Sequence, residues 1–230
     1  MLPECRSNTH VYQIPKYDIK SKDVKGFVNE LEGFHEIFND CFHRSESREH
    51  FLKYMVGQFS ELERKSIEPI ALNVKEGKVR AMQRFVSDAE WDNDKILYKY
   101  RNMVNEDMGN NDGVIIIDES GFQKKGNDSV GVAKQYCGSI GKVENCQVGV
   151  FAAYASPKGY SLVDKRLFIP EKWFTEDYET KRKKCKVPAN LSFKTKPQLA
   201  VDMFRELVNE NVLPFKYILA DSLYGASPEF

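Results

Sequence analysis

No two cysteines in this 230-residue sequence stand at CxxC spacing, and no histidine occurs after position 50. No stretch approaches the roughly 20 apolar residues of a membrane-spanning helix. The five cysteines (Cys5, Cys41, Cys137, Cys146 and Cys185) are odd in number, which fits a reduced intracellular chain with unpaired thiols better than a disulfide framework or a structural zinc site. His10, His35, His43 and His50, even with Cys41 among them, match no zinc-ligand spacing. With no histidine near the strand-forming half, a Ser-His-Asp triad lacks its base. The N-terminal stretch MLPECRSNTH has no basic start followed by an apolar run, so no secretory leader is expected and a cytoplasmic location is.

What is present describes a globular chain with a core: 41% hydrophobic and 30% charged residues. Net charge is zero, yet residues 1–117 carry 17 Lys/Arg against 20 Asp/Glu, and residues 118–230 carry 17 against 14. A neutral total does not decide for or against nucleic acid, because a local basic face is enough to hold phosphate.

The first half has helical periodicity. REHFLKYMVGQFSELERK places Phe51, Met55, Phe59 and Leu62 at helical spacing, with Ser47 as a candidate cap. VKGFVNELEGFHEIFNDCF, KVRAMQRFVSDAEW and DNDKILYKYRNMVNEDM are similar, the last with Asp92 as its expected N-cap. Four or five helices are expected between about residues 22 and 108. After the loop MGNNDG the period changes. VIIID, NCQVGVFAAYAS and YSLVDKRLFIP read as strands, the last two joined around Pro157-Lys158-Gly159. KTKPQLAVDMFRELVNENV reads as an amphipathic helix with Leu199, Met203, Phe204 and Leu207 on one side, and FKYILAD as a final short strand. A helix between strands allows the last strand to run parallel to an earlier one.

Two apolar runs, VIIID and YILAD, thus end in Asp118 and Asp221. If these strands are neighbours, the two carboxylates leave the sheet at one edge about 4.8 Å apart. Unpaired, they would repel, and a divalent cation with a preference for hard oxygen ligands, Mg²⁺ or Mn²⁺, would remove the conflict. The alternative is that each Asp caps the turn that follows its strand.

GFQKKGND, from Gly121, imitates a phosphate loop but puts Asn127 and Asp128 where that loop needs Lys and a hydroxyl. Lys124 and Lys125 read either as phosphate contacts near the metal site or as a solvated turn. KRKKCKVPANLSFKTK holds seven bases and no acid: Lys181, Arg182, Lys183, Lys184, Lys186, Lys194 and Lys196. They read as DNA-backbone contacts or as a solvated loop.

DESGFQKKGNDSVGVAKQYCGSIGKVENCQVGVFAAYAS resembles the start of the catalytic domain of DDE-type insertion-sequence transposases, in particular the 701 group. LFIPEKW, FKTKPQLA and ILADSLYG continue the likeness in order, and ERKSIEPIA and QRFVSDAEWD are similar upstream. The resemblance covers most of residues 45–230. It implies an α/β (α+β) chain: a helical region over residues 1–110 that binds DNA or dimerises, then an incomplete ribonuclease-H-like domain with a mixed sheet over residues 111–230. It also implies a DNA transposase or endonuclease that cuts element ends and joins them to target DNA. Asp118 and Asp221 match the first two acids of an Asp-Asp-Glu trio that holds Mg²⁺ or Mn²⁺. The expected partners are terminal-repeat DNA, target DNA and a second copy of the chain, with no membrane. The family's Glu lies well downstream, and Glu229 is too close to Asp221 to be it. SPEF reads as a helix start, with Ser227 as its cap. The chain is therefore expected to be truncated before its third acid and inactive alone. The alternative is a DNA-binding remnant that inhibits transposition.

Overall fold

The computed structural model describes residues 20–230; Cys5, His10 and the N-terminal stretch read above lie outside them. Two compact units divide at Asp92/Asn93.

In the first unit, helix α1 spans Ser21–Ile37, α2 Ser45–Gln58, α3 Ile67–Asn73 and α4 Val79–Ser87. Aromatic residues hold it together. Phe42 lies 5.1 Å from Phe51, 6.1 Å from Phe85 and 6.0 Å from Trp91, ring centre to ring centre. An isolated β-bridge also pairs Phe42 with Trp91. Ile70, Ala71, Val74 and Met82 form a second cluster between α3 and α4. Close approach of α2 to α3 requires Gly57, since a Cβ there would lie 2.2 Å from Ile70 Cγ2. Two expectations are corrected. Ser47 is not the cap of α2: the helix starts two residues earlier, after Arg44, and Ser47 is buried in its first turn. Phe59 does not continue the helical stripe: α2 ends at Gln58, and Phe59 stands exposed against Phe27.

The second unit begins with α5, Asn93–Met108. The sequence boundary at residue 110 grouped α5 with the preceding helices. In the structure the unit starts at Asn93, because Val104 joins the core made by the sheet and a later helix. The strands are β1 Val114–Gln123, β2 Ala133–Cys137, β3 Lys142–Ser156, β4 Gly159–Phe168 and β5 Tyr217–Ala220. Helix α6 covers Glu179–Lys184, α7 Lys196–Glu210 and α8 Ser222–Gly225. β3 pairs antiparallel with β1 along one side, and with β2 and then β4 along the other. β5 pairs parallel with β1 and ends the strand order. The parallel pairing follows from the crossover through α7. A capping box starts that helix: Thr195 Oγ1 accepts from Gln198 N, and Thr195 N donates to Gln198 Oε1. Asn211, at φ 51°, ends it. The result is an α/β fold with a mixed sheet, as expected of a ribonuclease-H-like domain.

Residue alternation gives the sheet two unlike faces. Ile115, Ile117, Val150, Ala152 and Tyr154 are buried with Ala200, Met203 and Leu207 of α7. The other face shows Ile116, Phe122, Tyr217 and Leu219 to solvent. β4 contains a bulge, where Ala152 pairs with Asp164 but Ala153 with Leu162. Val163 is the extra residue, so Val163 and Asp164 are both buried despite adjacency. Asp164 thereby meets Arg101 of α5, Nη2 to Oδ2 2.8 Å, and Arg166, Nη1 to Oδ1 2.5 Å.

Candidate functional site

β1 does not stop at Asp118, as its apolar run suggested. It continues to Gln123 because residues 119–123 stay paired with β3. What ends nearby is β5: the last parallel pair is Ile117↔Ala220, and Asp118 and Asp221 occupy the next step on their two strands. Asp118 shares the exposed face with Ile116, opposite Phe151 of β3. Both carboxylates are exposed. Asp118 Oδ1 accepts from Glu119 N at 2.8 Å. Asp221 caps α8, its Oδ1 accepting from Leu223 N at 2.9 Å and Tyr224 N at 3.4 Å. The capping role and the adjacency of the two acids therefore coexist, and each local contact uses one oxygen. Two hard oxygen donors on neighbouring strands suit Mg²⁺ or Mn²⁺. Among the described residues, no three His, Cys, Asp or Glu side chains converge to hold an ion.

Glu119 is adjacent in sequence but faces the other way. Its Oε1 accepts from Lys196 Nζ and its Oε2 from the Tyr224 hydroxyl, each at 2.6 Å. Both oxygens are engaged, so Glu119 is not a spare ligand. Burial, then the Glu119 carboxylate, raise the Tyr224 hydroxyl far above its ordinary range, so it remains a donor. The contact ties the turn that positions Asp221 to the strand that carries Asp118. Sequence reasoning missed Glu119 and Tyr224. The period-2 alternation of β1 was the available signal, since it places residue 119 on the face of Ile115 and Ile117. Tyr224→Phe removes only the hydroxyl and is expected to lower stability by about 2 kcal/mol, a typical value for a hydrogen bond to a charged group. An unchanged urea midpoint would show that the contact does not form. Glu229, also singled out above, accepts from Gln198 Nε2. At Pro228 and Glu229 the chain turns, and Phe230 N bonds back to Ser227 O.

The run from Lys181 to Lys196 is neutralised within the fold more than its composition suggested. Lys183 pairs with Glu179, Lys184 with Asp128, Lys194 with Asp202 and Lys196 with Glu119. Arg182 donates to the carbonyls of Trp173 and Thr175. Lys181 lies 4.6 Å from the Trp173 ring centre. Lys186 follows α6 at φ 55°. Lys124 and Lys125 come after the last residue of β1. Six residues of extended strand separate Lys124 from Asp118, about 20 Å, so these lysines do not flank the two acids as expected.

The family model described as "DDE superfamily endonuclease" matches residues 37–230. A probable transposase for insertion sequence element IS701 of Microchaete diplosiphon is 28% identical over 200 residues, which cover 87% of this chain and 49% of that protein. The chain thus spans about half the length of this curated relative. No solved structure matches. By the extent of the family match, the chain belongs to the DDE superfamily endonucleases.

Proposed function

We propose that the chain carries part of a DNA-cleaving and DNA-joining site in which Asp118 and Asp221 are two of three acidic ligands for Mg²⁺ or Mn²⁺. The third, a Glu, would come from beyond residue 230. The observation that carries this is the parallel register of β1 and β5, which brings two residues far apart in sequence to one step of the sheet. The strands hold the carboxylates on a rigid support, and the backbone N–H groups of Glu119, Leu223 and Tyr224 orient them. A bound divalent ion would supply charge neutralisation at a phosphate and activate the attacking hydroxyl. Asp118→Asn and Asp221→Asn are each expected to weaken Mn²⁺ binding at least tenfold, since even indirect partners of metal ligands cost about 10–100-fold. Titration of Mn²⁺ followed by its electron paramagnetic signal measures this. Equal affinity in wild type and both variants would end the proposal.

Because both Glu119 oxygens are committed elsewhere, a second function also has support: a chain that occupies element ends without cutting them and so inhibits transposition. Incubating it with labelled ends and Mg²⁺ separates the two, since a shifted but uncut band favours occupancy. In either case the partners are terminal-repeat and target DNA, reached in the cytoplasm. The helical unit would bind ends or pair two copies. No described helix is long and apolar enough to cross a membrane.

A further inference from the structure

Positive charge that forms no salt bridge collects mostly outside the 181–196 run, of which Lys181 alone takes part. Lys124, Lys125, Lys134, Lys172 and Lys181 line a concavity of about 660 Å³ where β1 runs out. One acid, Glu144, lies in its wall. The Asn145 N–H and then Lys142 hold that carboxylate below its usual range, and Lys142 Nζ sits 3.5 Å from Glu144 Oε2. Glu144 is thus served chiefly from outside the lysine ring, with Lys134 a smaller contributor.

The walls are pinned. Lys124 N donates to Asn145 O, and Asn145 Nδ2 returns a bond to Lys124 O, both at 2.8 Å. Across the groove, Trp173 Nε1 donates to Val132 O at 3.0 Å. The Lys181 ammonium rests over the Trp173 and Tyr178 rings, 4.6 and 5.1 Å from their centres. Rings orient a cation without cancelling its charge. Lys183, Lys184 and Lys194, by contrast, each sit on a carboxylate.

We propose that this groove binds the phosphodiester backbone of duplex DNA about six base pairs from the phosphate held at Asp118 and Asp221. The spacing follows from β1. Six extended residues cover about 20 Å, and each strand of a duplex advances about 3.4 Å per nucleotide. The assignment rests on the active-site proposal for its starting point, while the groove itself rests on the lysines alone. A lining whose charge is lysine favours contact with the phosphate backbone over readout of sequence.

The test compares two triple variants of the full chain with equal loss of charge. Lys124→Ala/Lys134→Ala/Lys172→Ala strips the groove, and Lys183→Ala/Lys184→Ala/Lys194→Ala strips the paired run. Binding of a fluorescent 30-base-pair duplex is followed by anisotropy from low to high salt. The groove variant is expected to lose at least tenfold in affinity and about 2 to 3 from the slope of log K against log salt, close to 0.9 for each phosphate that is no longer neutralised. The paired-run variant is expected to stay within about twofold of wild type. Thermal melting checks folding, and Lys134→Glu, a single exposed change, provides a second variant with the same expected direction. Equal losses in both triples, or none in either, overturn the groove. So does tighter binding of single-stranded RNA than of duplex. Wild-type Mn²⁺ binding that depends on Asp118, together with indifferent triples, removes the groove and keeps the active site. Groove-dependent duplex binding without Mn²⁺ binding does the reverse, leaving a DNA groove without a metal centre to measure from.

Discussion

Arg101→Ala is expected to cost the second unit about 3–5 kcal/mol, the usual penalty for removing one partner of a buried ion pair. Arg101 is 1% exposed and Asp164 2%. The guanidinium serves three groups: Nε donates to Val163 O at 3.1 Å, Nη1 to Glu210 Oε1 at 2.7 Å, and Nη2 touches Asp164 Oδ2 at 2.8 Å. Deleting it leaves the Val163 carbonyl without this donor and Asp164 Oδ2 buried without its opposing charge. Arg166 and the Lys165 N–H still serve Oδ1, so Asp164 keeps its charge in a poor setting. Glu210 is partly exposed and can rehydrate, so Glu210→Gln should cost under about 1 kcal/mol. Replacing both ends, Arg101→Met with Asp164→Leu, should recover much of the loss, because the desolvation penalty leaves with the charges. Denaturant titration of the three variants measures the set. A loss under about 1 kcal/mol for Arg101→Ala, well short of the buried-pair penalty, would mean that water already reaches the bulge.

Trp173→Ala should rank beside it, at about 3–5 kcal/mol for a large aromatic removed from a packed site. Trp173 is fully buried, bonds Val132 O through Nε1, accepts Arg182 at its carbonyl and supports Lys181 with its ring face. Its Nε1 bond ties the segment after β4 to the approach to β2, and its carbonyl and ring hold α6 to the same segment. The loss should therefore be mechanical as well as energetic. Lys172 and Lys181 should drift from Lys134, and duplex affinity should fall even below the melting transition. Trp173→Phe, which keeps a ring but no N–H, should lose about 1–3 kcal/mol, the cost of a buried carbonyl left without its donor. Full duplex binding by folded Trp173→Ala would show that the groove is not held by this side chain.

How much of this was visible beforehand varied with the length of the signal. The four long helical stretches, the β3–β4 hairpin at Pro157-Lys158 and the crossover through α7 all carried periodicity over ten or more residues, and all appear at or near the expected positions. β2, AKQYC, was not visible: five residues of mixed propensity gain their strand character from pairing with Lys142–Cys146. The continuation of β1 past Asp118 was hidden because DESGFQ looks polar, while its ladder to β3 is a tertiary fact. The adjacency of Asp118 and Asp221 was legible from strand order and resemblance together. The duties of Lys194 and Lys196 were not, since a run of bases does not announce which carboxylates the fold will bring to it. The bulge at Val163 likewise has no local mark, and without it Asp164 would be expected to face solvent.

β5 has only four residues, Tyr217–Ala220, and it ends the strand order. Its far side can offer an incoming strand a ladder of at most a few rungs before α8 turns the chain away. Truncated rims of this kind are how sheets resist being templated into fibrils. Lateral strand addition by main-chain pairing along these four residues is accordingly disfavoured.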